Sequence, residues 1–328
     1  LFRILPKRNS CYVIVITVFL LGLWLCRAVY LPARAAVEAI DPALHGYLGG
    51  LGLPILVAWP IGGLVAGLAA WGIGKISLRL RSDYLAIATL GISEIIVAIL
   101  KNEDWLARGV KNVTAIPRPV PEETMFQNLS WVQSFAAQWG ADVVTIASIL
   151  AKLCYAGLFG SVLLILLWMF ERAWQSPWGR MMRAIRDQEV AAAAMGKDIG
   201  ARHLQVFVLG SAVVGIAGAM LISYNGQFTP SSFHPLRFTF LIWVMVIVGG
   251  AGNNWGTVLG GFLIWFYWVE AEPIGLWVID GITSFMAEDH PLRKHLLDSA
   301  AHMRLITMGI ILLLVMRFHP RGLLPERS

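Results

Sequence analysis

Charge is scarce in this sequence. Asp, Glu, Lys and Arg make up 14% of its 328 residues, against about a quarter in soluble domains, and hydrophobic residues make up 57%. A water-soluble body of this length would lack the polar residues to cover itself, so much of the surface faces lipid. Cysteine is scarcer still. Cys11, Cys26 and Cys154 all lie in apolar segments, at spacings that match neither a disulfide framework nor a zinc site. There is no G-x-x-x-x-G-K-[ST] phosphate loop. The nearest stretch, GIGKI at 72–76, lacks the required glycine and hydroxyl and sits at a helix end. H-E-x-x-H and G-x-S-x-G are also missing, and the seven His residues fall in loops or at membrane edges. These absences exclude an intrinsic ATPase and leave no catalytic, metal or cofactor cluster. The chain reads as a non-enzyme with no cofactor of its own.

What is present is a series of long apolar runs. Eight candidate spans are readable, at 11–30, 54–74, 83–101, 145–170, 203–224, 238–250, 256–270 and 303–317. The fold class is therefore all-α: a polytopic transmembrane helical bundle with about eight spans. The chain begins at Leu1 rather than Met, so its true N-terminus is expected to lie further upstream. Residues 1–30, with Arg3, Lys7 and Arg8 ahead of the apolar run, resemble a leader. The run is long enough to span and no small-residue cleavage site follows, so a helix is expected. Placing the N-terminus inside puts 1–10, 75–82, 171–202 and 318–328 in the cytoplasm, with 14 Lys and Arg in 61 residues. The outer loops, 31–53, 102–144, 225–237 and 271–302, hold 7 in 111. Positive residues concentrate on the cytoplasmic side of membrane proteins, so both termini are expected there. The net charge of +6 is thus a topology signal, not a nucleic-acid patch.

The chain reads as one transmembrane domain, residues 1–328, without a soluble domain or repeat. The outer loop 102–144 carries Pro117, Pro119 and Pro121 and then a Trp- and Gln-rich stretch, so it is expected to be a periplasmic loop with a short interfacial helix. The periplasmic segment 271–302, with Glu272, Asp280, Glu288, Asp289 and Asp298, is expected to form short surface helices. Small residues recur every four positions at Ser211, Gly215, Ala219 and Ser223, and again at Gly252, Gly256 and Gly260. That spacing lets helices approach closely in lipid, and packing within one subunit explains it.

The longest inner stretch carries the strongest local signal. Ser176 suits an N-cap, Pro177 the first helical position, and Gly196 the position after a helix. Between them Met181, Ile185, Gln188, Ala192 and Met195 form one stripe, while Arg180, Arg183, Arg186 and Asp187 fall on another side. Such a capped amphipathic helix contacts something at the inner face of the membrane, either a protein partner or the lipid headgroups.

This segment resembles the cytoplasmic coupling helix of ABC-importer permeases, whose usual pattern is Glu-Ala-Ala, three residues, then Gly. Here Glu189, Ala191, Ala192 and Gly196 depart from it by one residue, a variant similar to the branched-chain amino-acid permease family. LRLRSDYLAIATLGISEII at 78–96 is close to that family's signature, and IPRP at 116–119, GGAG at 249–252 and PRGLLP at 320–325 also match. The similarity runs in order from about residue 53 to 325. One departure stands out: residues 31–52 are too short to hold the Gly- and Ser-rich helical region that the family has before the second span. The resemblance implies alternating access in a bacterial inner-membrane importer for branched-chain amino acids or relatives. Its implied partners are a homologous second permease, two ATP-binding cassette ATPases and a periplasmic substrate-binding protein. It also implies that Arg180, Arg183, Arg186, Asp187, Glu189, Ala192 and Gly196 couple to the ATPase.

Polar groups within spans supply the candidates for the path. Arg27 lies near a span end, where its side chain can snorkel. Glu94 and Lys152 are each seven residues from an outer span end, about 10 Å deep at 1.5 Å per residue. They are expected to form an intramembrane ion pair. Thr89, Gly91 and Glu94 are candidates for the translocation path. So are Gly249, Gly250, Gly252, Asn253 and Asn254, which join two spans that look too short to cross 30 Å of hydrocarbon. That joint lies either inside the membrane or in a tight surface turn. The rival classes are a secondary transporter driven by an ion gradient, a membrane enzyme, and an importer of the same class carrying urea or short amides. Only one deep carboxylate, Glu94, favours the first.

Overall fold

The computed structural model describes residues 54–103, 112–230, 233–284 and 303–325 with a few single-residue gaps, and isolated positions elsewhere. The expected first span at 11–30 lies outside the described residues apart from a few positions. Eleven helices are described: α1 (Ile55–Ser77), α2 (Ser82–Asn102), α3 (Glu123–Gln127), α4 (Ser130–Trp139), α5 (Val143–Gln175), α6 (Pro177–Asp187), α7 (Glu189–Ala194), α8 (Ile199–Asn225), α9 (Pro235–Gly249), α10 (Asn254–Thr283) and α11 (Met303–Phe318). Among the described residues the only β pairing is an isolated bridge between Val113 and Phe228. Five helices, α1, α2, α5, α8 and α10, are long and apolar enough to cross a membrane. The chain divides into two compact units, 1–166 with 176–233, and 167–175 with 234–328.

The first unit is organised by the pairing of α1 with α8. The reason lies in small residues on both. A Cβ on Gly63 would stand 2.8 Å from the Ala212 carbonyl oxygen, one on Gly215 would stand 2.5 Å from the Ala66 Cβ, and one on Gly62 would stand 3.3 Å from the Ala219 Cβ. The stripe expected on α8 is thus an intrachain packing face. Its counterpart on α1, buried at Gly63, Gly67, Ala70 and Gly74, is a feature that spacing on α8 alone did not reveal. Trp59 Nε1 donates to Ser223 Oγ at 2.9 Å and fixes the register of the pair. The region expected to carry one interfacial helix holds two, α3 and α4. Helix α4 buries Val132 and Ala136 and leaves Trp131, Phe135 and Trp139 exposed.

The second unit packs α9, α10 and α11 around Leu241, Val244, Val248, Ile264 and Met308. Helix α10 corrects the expected span 256–270: it continues to Thr283, a length of about 45 Å for 30 residues. Glu270, Glu272 and Pro273 interrupt the apolar pattern there, but the backbone remains helical through all three. Residues 271–283 are therefore part of a long helix and not a set of short surface helices. Helix α9, at 15 residues or about 22 Å, is as short as expected.

Candidate functional site

The segment between α5 and α8 begins as its sequence predicts. Ser176 Oγ accepts from the Gly179 amide at 3.3 Å, and Pro177 occupies the first turn, where its missing N–H leaves nothing unsatisfied. Its end is closed by Gly196 at φ 76°, a left-handed conformation that only glycine enters without strain. Gly196 N donates to the Ala193 carbonyl and Lys197 N to the Ala192 carbonyl, which makes the paired hydrogen bonds of a Schellman cap.

One expectation fails inside the segment. It is two helices rather than one, with a break at Gln188 (φ −150°, ψ 86°). The charges account for the break. Asp187 ends α6, where the helix dipole disfavours an acid, whereas Glu189 opens α7, where it is favoured. The break also rephases the stripe: Ile185 and Ala192 are buried, but Gln188 and Met195 are exposed. Val190 and Met195 stand out at 82% and 80% exposure. Arg180 and Arg186 are exposed, Arg183 is half-buried, and Arg186 Nε lies 3.1 Å from Asp187 Oδ1. Arg202 holds Gln205 at 2.8 Å, and Trp178 Nε1 reaches the same Gln205 Oε1 at 3.4 Å, tying α6 to the start of α8.

In the second unit three distant sequence motifs meet. Gly249 to Gly256 closes as a tight turn between α9 and α10. A Cβ on Gly249 would collide with the Gly256 carbonyl, and one on Gly260 would stand 2.8 Å from the Gly249 Cα. Gly250, at φ 117°, lies against Leu324, and the Leu323 and Leu324 amides donate to the Val248 and Gly249 carbonyls at 2.9 and 3.0 Å. Asn253 Oδ1 caps α10 by accepting from Trp255 N at 3.0 Å, and Asn254 Nδ2 donates to Glu171 Oε1 at 3.1 Å. Glu171, Trp174, Gly252, Asn254, Trp255 and Pro325 help line an open cavity of about 660 Å³. The joint forms a tight turn, a geometry that both alternatives for its membrane depth allow. Its glycines are used in helix contact, and its two asparagines are engaged in capping and in holding Glu171. Sequence reading missed Glu171 in this role, because its partner Asn254 lies 83 residues further along the chain.

The other path candidates are placed differently. Thr89 Oγ1 donates to the Leu85 carbonyl at 2.9 Å, Gly91 has open space around it, and Glu94 is exposed on the chain's surface. Lys152 is exposed as well. Glu94 and Lys152 form no ion pair among the described residues, because α2 packs on α1 and equal depth does not bring it to α5. The ion pairs that do form lie elsewhere. Arg304 at the start of α11 holds Glu272 of α10 at 2.5 Å and stands 5.7 Å over the Trp268 ring. Arg293 holds Asp280 at 2.7 Å. No group of three or more His, Cys, Asp or Glu placed to hold a metal occurs among the described residues.

Long apolar helices, close small-residue contacts and little buried charge define a multi-pass membrane protein. The chain belongs to the family described as branched-chain amino acid transport system / permease component, whose profile matches residues 13–316. It is 27% identical over 299 residues to the high-affinity branched-chain amino acid transport system permease protein LivM of Escherichia coli, covering 88% of this chain and 61% of that protein. It is 26% identical, with the same coverage, to the Salmonella typhimurium protein of the same name. A probable branched-chain amino acid transport permease protein LivM of Methanocaldococcus jannaschii is 25% identical over 282 residues, covering 85% of this chain and 70% of the relative. The chain thus spans about three fifths of the length of the two enterobacterial relatives. No solved structure matches.

Proposed function

We propose that this chain is a permease subunit of an ATP-driven ABC importer in a bacterial inner membrane. Its cargo is branched-chain or related amino acids, carried by alternating access. The observation that carries the reading is the segment 176–196: two short helices capped at both ends, with an arginine-rich side and two apolar residues, Val190 and Met195, almost fully exposed. Exposed apolar side chains beside a rigid, charged helix suit a groove on a partner protein better than water. Arg180, Arg183, Arg186, Asp187 and Glu189 surround them with charge, and Ala192 and Gly196 permit close approach. Two ATP-binding cassette subunits supply the energy, since this chain carries no phosphate loop. A periplasmic binding protein delivers the substrate, and a homologous permease completes the path. No residue from Tyr84 to Asn102 of α2 is fully buried within the chain, which supports a neighbouring subunit or the path itself along Thr89, Gly91 and Glu94.

The test is reconstitution of the complete complex in proteoliposomes with radiolabelled leucine outside and ATP inside. ATP-dependent leucine uptake that requires this chain supports the proposal. Uptake driven by a sodium or proton gradient without ATP refutes it.

A further inference from the structure

The first unit contains a polar cluster that coupling to an ATPase does not use, where the middle of α5 meets the end of α8 that the charge count assigns outward. Tyr155 is 9% exposed, yet its hydroxyl has no hydrogen-bond partner. Leaving a buried hydroxyl unsatisfied costs about 1–3 kcal/mol, so native structures rarely do so without a functional reason. The ring is held by other aromatics, with Tyr224 edge-on at 5.1 Å and Phe159 at 5.6 Å. Tyr224 is 46% exposed, which leaves its ring open on one side.

A cation stands beside this cluster of rings. Arg118, within the IPRP motif, is exposed, and no hydrogen bond or ion pair engages its guanidinium among the described residues. Its backbone is fixed nonetheless. Val113 and Phe228 exchange amide hydrogen bonds at 3.0 and 2.8 Å, and Ile116 N donates to the Gly226 carbonyl at 3.0 Å. Gly226, in the left-handed turn that ends α8, lets the arginine lie close: a Cβ there would stand 3.2 Å from Arg118 Nε. Gly226 follows Tyr224 by two residues, and the Tyr224 ring packs on that of Tyr155, so this turn sets Arg118 beside the aromatic cluster.

We propose that Arg118 and the Tyr155 hydroxyl recognise the carboxylate of an α-amino acid on the outer approach to the translocation path, with Phe159 and Tyr224 receiving its apolar side chain. A guanidinium offers two parallel N–H donors to a carboxylate, and the phenol donates a third hydrogen bond. Occupation satisfies the orphaned hydroxyl and neutralises the arginine. Urea and primary amides carry no anion, so the site selects amino acids over them. This inference rests on the importer reading and assigns residues to the recognition of the amino-acid cargo that reading proposes.

The experiment uses the complete complex in proteoliposomes, with leucine moved per ATP hydrolysed as the readout. In Arg118→Gln, ATP hydrolysis stimulated by the loaded binding protein persists, and leucine per ATP falls about tenfold. Arg118→Lys keeps the charge and recovers part of the loss. Tyr155→Phe inserts normally, unfolds no earlier than wild type because it removes an unsatisfied group, and lowers leucine per ATP about threefold. Wild-type leucine per ATP in either Arg118→Gln or Tyr155→Phe overturns the site. So does parallel loss of stimulated hydrolysis and transport in Arg118→Gln, which would place Arg118 in docking of the binding protein. A wild-type complex that carries urea and no leucine refutes the amino-acid importer reading before any variant is made, and the proposed substrate falls with it.

Discussion

Gly260 and Gly261 are neighbours on α10, and the structure predicts opposite responses to the same substitution. A Cβ on Gly260 would stand 2.8 Å from both the Cα and the N of Gly249 and would overlap the Met245 carbonyl. Ordinary van der Waals contact begins near 3.4 Å. All the obstructing atoms are backbone, so no rotamer change relieves the clash and α9 must move away from α10. Overpacking of this kind costs about 1–3 kcal/mol. A Cβ on Gly261 meets nothing within 4 Å. There the substitution gains the helix preference of Ala over Gly, up to about 1 kcal/mol. That preference is gained at both positions and cancels, so Gly260→Ala and Gly261→Ala should differ by the overpacking cost, about 1–3 kcal/mol, with Gly260→Ala the less stable. Equilibrium unfolding of the purified protein in mixed micelles, with both variants and wild type measured side by side, reads this difference. Equal stabilities would refute the close crossing of α9 and α10.

Replacing Arg183, Arg186 and Asp187 together with Ala should abolish most transport-linked ATP hydrolysis while membrane insertion stays normal, checked by hydrolysis assays on the complete complex. Asn254→Asp should destabilise the turn more than Asn254→Ala, because it sets a second carboxylate where the amide now donates to Glu171 at 3.1 Å; thermal unfolding in detergent ranks the two. Because Glu94 and Lys152 are not paired, Glu94→Gln and Lys152→Met should be additive within about 0.5 kcal/mol in a double-mutant cycle, and a larger coupling would restore the ion pair. Arg304→Gln should cost more than Glu272→Gln, since it removes the contact with Trp268 as well as the ion pair.

The features legible in the sequence are those set by local pattern. Hydropathy located the helices from residue 54 onward, and the residue types at Ser176, Pro177 and Gly196 located both ends of the inner segment because caps are local chemistry. The end of α10 was not legible. Glu270, Glu272 and Pro273 resemble a boundary, but Glu272 is held by Arg304, 32 residues away in sequence. The break at Gln188 was missed because no Pro or Gly marks it; the opposing preferences of Asp187 and Glu189 are the only local sign. The turn at 249–256 allowed two readings. Its contacts with Leu324 and Glu171 were not legible, because segments far along the chain supply them. Equal depth in neighbouring spans does not create an ion pair between Glu94 and Lys152, since depth fixes only one of the coordinates that contact requires.

The central claim is that residues 176–196 dock on an ATPase subunit. Val190 is 82% exposed, at the start of α7 and beside the break. Replacing it with a photo-crosslinking amino acid in the assembled complex, irradiating, and identifying the linked species by mass spectrometry tests the claim directly. The account predicts a crosslink to the ATP-binding cassette subunit whose yield changes when ATP is added. Crosslinks to phospholipid alone, in a complex shown to contain its ATPase, would contradict it and make the segment a membrane-surface helix.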